Sequence, residues 1–135
     1  MNVKKIKVDK TTKYWLDSSD EDFETMNVLF ESKRHTWTLF IGHLMIEKLL
    51  KAYFVQTKKT HPPFIHNLIR LSELSNLPIS EEQKIDLATI TAFNINARYD
   101  DYKRSFMKKC TPEFTQHWVK KLKELRGWII EQIEI

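Results

Sequence analysis

The sequence predicts an all-α protein, an up-and-down helical bundle of four long helices plus one short helix. Three observations lead there. Apolar residues recur at three- and four-residue steps in separate blocks, the signature of helices that bury one stripe. Helix-capping residues stand at the block borders, as at Thr111-Pro112 and Ser80. Only two glycines and four prolines occur in 135 residues, too few for the tight turns of a sandwich or barrel.

Going along the chain, the first 16 residues read as a basic N-terminal tail and residues 17–135 as a single helical domain. Residues 1–13 hold five of the 22 basic residues and one of the 18 acidic ones, so they account for the whole net charge of +4 and leave the rest balanced. A basic excess confined to a tail favours solubility over nucleic-acid recognition. The alternation Lys5-Ile6-Lys7-Val8-Asp9 has the period of a short edge strand. The first helix is expected to start at Ser18, because Glu21 stands three residues on as in a capping box. The acids from Asp17 to Asp22 suit the positive end of its dipole. Phe23, Met26, Val28, Leu29 and Phe30 supply its apolar face, to about Glu31.

The second helix is the longest, about Lys33 to Lys58. It is apolar over so much of its circumference that it must be central in the bundle or pack on a second subunit. Gly42 in its interior costs about 1 kcal/mol against alanine, which a close helix crossing explains. His61-Pro62-Pro63 ends it in extended chain. A short helix follows from His66 to about Ser75, and Leu77-Pro78 breaks it. Ser80 with Gln83 caps the next, which runs to about Arg98 with Ile85, Ala88, Ala92 and Ile95 as its apolar positions and Leu87 and Ile90 flanking. The segment from Asp100 through Lys109 reads as a solvated connection. Thr111 as N-cap and Pro112 at the first position open the last helix, whose stripe is Phe114, Trp118, Leu122, Leu125, Ile129 and Ile133.

Several chemistries are excluded or disfavoured. Two glycines cannot write either glycine-rich phosphate loop. The single cysteine, Cys110, allows no internal disulfide and fits a reducing, cytoplasmic setting. No H-E-x-x-H occurs and no two histidines stand at i, i+4, so no metal site and no cofactor are expected. The first residues lack the apolar core of a signal peptide, and no apolar run approaches the roughly 20 residues that cross a bilayer, so no membrane association is expected. The four tryptophans read as core or interface anchors.

Two polar groups stand out. His43, Glu47 and Lys51 are spaced i, i+4, i+8 and form one stripe on the most apolar helix. Asn94, Arg98, Tyr99, Asp101 and Tyr102 cluster at the end of a later helix. His43, Glu47, Lys51, Arg98, Tyr99 and Tyr102 are the candidate residues of a polar cleft. Arg98, one turn past an expected buried Ile95, is expected to face Glu47. The bland reading is a surface ion pair between Glu47 and Lys51 and a dipole-complementing Arg98.

The segments Phe40-Ile41-Gly42-His43-Leu44-Met45-Ile46-Glu47-Lys48-Leu49-Leu50-Lys51-Ala52, His66-Asn67-Leu68-Ile69-Arg70-Leu71 and Asn96-Ala97-Arg98-Tyr99 resemble, in order and spacing, motifs of the HEPN domain family. The resemblance covers roughly residues 19–130 and implies a HEPN-like bundle, usually a homodimer. Many members are encoded beside a minimal nucleotidyltransferase as toxin–antitoxin or defence pairs. Some are metal-independent endoribonucleases that use R-x4–6-H at a dimer cleft. Here Lys103, Arg104 and Ser105 stand where that histidine would fall after Arg98. The leading expectation is therefore a homodimeric nucleotide-binding or accessory module with a separate nucleotidyltransferase chain as partner. An endoribonuclease with a divergent site, acting on RNA, and a plain helical interaction protein are the alternatives.

Overall fold

The computed structural model describes residues 6–133. These form six helices: α1 (Val8–Glu31), α2 (His35–Lys58), α3 (Leu68–Leu74), α4 (Glu81–Arg98), α5 (Asp100–Lys109) and α6 (Pro112–Gln132). No strand occurs among the described residues. The all-α class is as the apolar periodicity predicts. The helix count differs by one, because α5 takes the place of the expected connection.

The axis of the bundle is α2, which touches each of the other five helices. It runs antiparallel to α1: Lys51 meets Trp15, Lys48 meets Asp22, and Gly42 meets Met26. In the same way α4 and α6 run antiparallel, Asp86 beside Lys121 and Phe93 beside Trp118. Leu39, Met45, Ile46, Leu49 and Leu50 of α2 are fully buried. Burying each such side chain contributes about 1.5–3 kcal/mol.

The N-terminal expectations change most. The helix α1 begins at Val8, ten residues before the expected cap, so residues 8–16 belong to the bundle. Ser19 is buried and its hydroxyl donates to the Met45 carbonyl 3.1 Å away, tying α1 to α2. The acids expected to face the helix dipole instead make pairs: Asp17 with Lys13 at 2.7 Å, Asp22 with Lys48 at 2.8 Å, Asp20 with Arg126 at 3.3 Å. Val8 and Asp9 of the expected strand are helical, and the residues before Ile6, including Lys5, lie outside the described residues.

The segment after Arg98 coils into α5 because Phe106 buries its ring against Phe93, with centroids 5.6 Å apart. Phe93 also meets Phe114 and Trp118, which knits α4, α5 and α6 into one aromatic cluster. The buried face of α4 is Leu87, Ile90, Phe93, Asn94 and Ala97, while Ile85 and Ile95 are exposed. The caps of α4 and α6 form as expected: Ser80 and Gln83 make a reciprocal capping box, and Thr111 accepts from the Phe114 amide. The short helix starts two residues later than expected, because the Asn67 side chain caps it by accepting from the Arg70 amide at 3.0 Å.

With so few glycines, the chain ends its helices on other residues. Lys33, Lys59 and Asn76, which follow α1, α2 and α3, all have φ of 60°. A side chain in that region costs about 1–2 kcal/mol, part of which glycine returns as lost unfolded-state freedom. Lys59→Gly is expected to raise stability by about 0.5–1 kcal/mol, measured by urea denaturation.

Candidate functional site

Glu47 is the centre of the polar stripe on α2. It is 5% exposed, on a helix with otherwise apolar neighbours. A buried carboxylate must be matched by donors, and three basic groups surround it. Lys51 Nζ donates to Oε2 at 3.0 Å. His66 Nδ1 donates to Oε1 at 2.8 Å, and His43 Nε2 lies 3.8 Å from the same oxygen. Lys51 is itself buried and lies 5.3 Å from the centroid of the Trp15 ring.

His43 is fully buried. Its Nε2 is 3.1 Å from the His66 carbonyl oxygen, which can only accept, so His43 carries its proton on Nε2. Its Nδ1 is buried without a partner among the described residues. Two residues of α2 thus grip one residue of the connecting loop, by its backbone and by its ring. That grip brings the chain back from the Pro62-Pro63 stretch onto α2 and positions the start of α3.

The geometry sets the histidine chemistry. With Nδ1–H committed to Glu47, the His66 ring is held in one orientation, and its side chain is still 62% exposed. An imidazole oriented by a buried carboxylate and open to solvent has the arrangement of a general acid–base pair. For His43 the loss of water around the ring holds its pKa below the ordinary value of 6.5, against weaker opposing effects of the His66 carbonyl and Glu47. The unfolded chain therefore binds this proton more readily than the native one. The stability that neutral His43 confers is complete above pH 6.5 and is lost as the pH falls below it. His43→Gln keeps a donor for the His66 carbonyl but cannot titrate. In urea denaturation, its stability relative to the wild type is expected to stay level from pH 7.5 to about pH 6.5 and to improve as the pH falls further to 5.

The second expected group stands apart from Glu47. Arg98 is exposed, and its Nε donates to the Asn94 carbonyl oxygen at 3.1 Å. Its guanidinium lies 5.7 Å from the Phe40 ring and 5.8 Å from the Tyr99 ring. The expected Arg98–Glu47 pair does not form. Arg98 nonetheless borders α2, close enough for its charge to contribute to the lowered pKa of His43. Tyr99 joins α4 to α5 as a shared cap; it and Tyr102 are 56% and 52% exposed, and Asp101 lies exposed in the first turn of α5.

The structure thus brings His43, Glu47 and Lys51 together and adds His66, which the reading of candidate residues left out. The family model of the HEPN domain matches residues 12–133. The chain belongs to the HEPN domain family. No curated protein and no solved structure matches the chain significantly. In this HEPN domain no group of three or more His, Cys, Asp or Glu residues that could hold a metal ion occurs among the described residues. Among those residues, no helix is long and apolar enough to cross a membrane. Cys110 is buried, and burial pushes its thiol pKa up, with the Thr36 hydroxyl and Lys109 acting weakly the other way. Alkylation by iodoacetamide is expected to be slow in the folded protein and fast in urea.

Proposed function

We propose that this HEPN domain acts as a homodimer that binds a nucleotide or RNA, as the accessory half of a nucleotidyltransferase-linked toxin–antitoxin or defence pair. The observation that carries the dimer is an apolar face left partly open on the central helix. Phe40, Ile41 and Leu44 lie on one side of α2 and none is buried. Ile95 of α4, 46% exposed, shares its helix face with Arg98, which reaches over Phe40. A second copy of the same face would cover this apolar area and bring two Arg98 guanidinium groups to one cleft.

Light scattering at micromolar concentration should give about twice 16.2 kDa. Ile95→Glu, at a position 46% exposed, should give a monomer with an unchanged melting curve. A monomeric wild type sinks the reading. Arg98→Ala should leave stability within about 1 kcal/mol, since an exposed side chain with one backbone hydrogen bond contributes little. The same change should weaken RNA or ATP binding. Co-purification with the product of an adjacent nucleotidyltransferase gene tests the pairing.

A second reading, metal-independent RNA cleavage, has the Glu47–His66 pair behind it. That pair offers the acid–base group missing after Arg98. It requires cleavage that survives EDTA and that His66→Gln abolishes without changing the oligomeric mass.

A further inference from the structure

A cavity of about 400 Å³ opens where the α1–α2 turn meets α5. Lys33, Arg34 and Lys103 line it, and no aspartate or glutamate does. Cations normally find acids at a protein surface whose charge is balanced, and this body is balanced. Yet among the described residues Lys33 and Arg34 have no ion partner, and Lys103 has only exposed Asp100 at 4.0 Å. Two unpaired cations, and a third whose one ion partner is an exposed carboxylate 4.0 Å away, give this concavity a positive potential, where low-dielectric walls strengthen the attraction for an anion.

The turn is built to hold them there. The Arg34 amide donates back to the Leu29 carbonyl at 2.9 Å and Lys33 takes up its left-handed conformation. The first turn of α2, His35 to Trp37, lines the same cavity, and His35 Nδ1 is buried with no partner among the described residues. Trp37 adds a flat apolar wall, fixed edge-on by Phe40 at a centroid distance of 5.6 Å.

We infer that this cavity binds a phosphorylated small molecule that carries a flat ring, with its phosphates against Lys33, Arg34 and Lys103 and its ring against Trp37. Guanidinium and ammonium groups suit multiply charged phosphate, and the indole suits a planar heterocycle. The inference deepens the nucleotide part of the reading above by giving it a place in the fold, and it does not depend on the dimer.

The test is isothermal titration of the full chain with ATP, sodium tripolyphosphate and adenosine. ATP should bind saturably at one site per chain, tripolyphosphate should compete for it, and adenosine alone should bind far more weakly. The double variant Arg34→Ala/Lys103→Ala should weaken ATP by roughly tenfold or more per cation removed. Lys108→Ala/Lys109→Ala removes the same charge outside the cavity and should stay within about twofold of the wild type. Trp37→Ala should weaken ATP while leaving tripolyphosphate unchanged. Should the double variant fail to fold, Lys33→Glu at an exposed turn position carries the same expectation. No ATP binding, equal loss in both double variants, or a short RNA that binds but is not displaced by tripolyphosphate would overturn the inference. Light scattering on the same samples separates the two readings. A dimer that does not bind sinks only this one, and a monomer that binds sinks only the dimer.

Discussion

Glu47→Ala is expected to lower stability by about 3–5 kcal/mol, the cost of removing one partner from a buried ion pair. The carboxylate is 5% exposed and Lys51, which it neutralises, is equally buried. Without it the Lys51 ammonium keeps only the Trp15 ring, 5.3 Å from its centroid, as a counterpart in the interior. A cation–π contact of about 0.5–2 kcal/mol cannot replace a charge-assisted hydrogen bond and an opposite charge together. The double variant Glu47→Met/Lys51→Met should be much less damaged than Glu47→Ala, because it removes both charges and keeps the volume. Urea denaturation of the wild type, both single variants and the pair measures the coupling. A Glu47→Ala protein as stable as the wild type would mean that the pair is hydrated in solution and that the stripe is an ordinary surface feature.

The same substitution has a second expected readout. Glu47 holds the His66 ring, and His43 holds the His66 backbone, so together they fasten the loop of residues 59–67 to α2. Loss of the ring contact should raise amide hydrogen exchange in that loop and at the start of α3, before any global unfolding. A His66→Ala variant should show the same local loosening with a smaller global loss, since its ring is 62% exposed and leaves the Lys51–Glu47 pair intact.

What could be read from the sequence, and what could not, follows from how each element is packed. The centrality of α2 was visible because its apolar residues surround the helix, and they do so because five neighbours press on it. The first two turns of α1 were hidden because they pack through Thr12, Trp15 and Leu16 among lysines, with no apolar stripe of helical period. For α5 the pattern gave no signal, since Phe106 is the only residue of that helix that is buried. The face of α4 was ambiguous for the opposite reason. It carries apolar residues on two sides, and the packing chose Leu87, Ile90, Phe93 and Ala97 over Ile85 and Ile95.

That choice carries through to the candidate site. Arg98 was placed towards Glu47 on the premise that Ile95 is buried; with Ile95 46% exposed, the arginine one turn on shares an open face. Glu47 is in any case already matched by Lys51 and His66. The His43–Glu47–Lys51 stripe was legible because all three stand on one helix. His66 joins it across the proline-containing loop, and periodicity does not report such contacts. The signal that pointed there was the His66-Asn67-Leu68 motif, in which Asn67 caps α3 and Leu68 is fully buried, leaving the histidine to account for.

Gly42→Ala is expected to destabilise the protein by about 1–3 kcal/mol, although alanine is the better helix former by about 1 kcal/mol. The sign depends on what a new methyl group would meet. At Gly42 it would run into the Leu122 side chain of α6, and it would lie 3.3 Å from Met26 Sδ of α1. Both neighbours are fully buried, so neither side chain can swing into solvent to make room. The helices would have to separate at this contact of α1, α2 and α6, or Leu122 would have to leave its rotamer. Leu122→Ala alone should cost about 2–5 kcal/mol through the cavity it opens. In the double variant the alanine at 42 grows into that space, so the combined loss should fall below the sum of the two single losses by about 1–2 kcal/mol. Gly127 supplies the control. A methyl group there meets nothing within 4 Å, and its position on α6 is exposed, so Gly127→Ala should gain the helix propensity of about 1 kcal/mol without opposition. Opposite shifts at two glycines of the same protein, read in the same denaturation experiment, separate backbone propensity from helix crossing. If Gly42→Ala also stabilised, the close approach of α2 and α6 would not exist in solution.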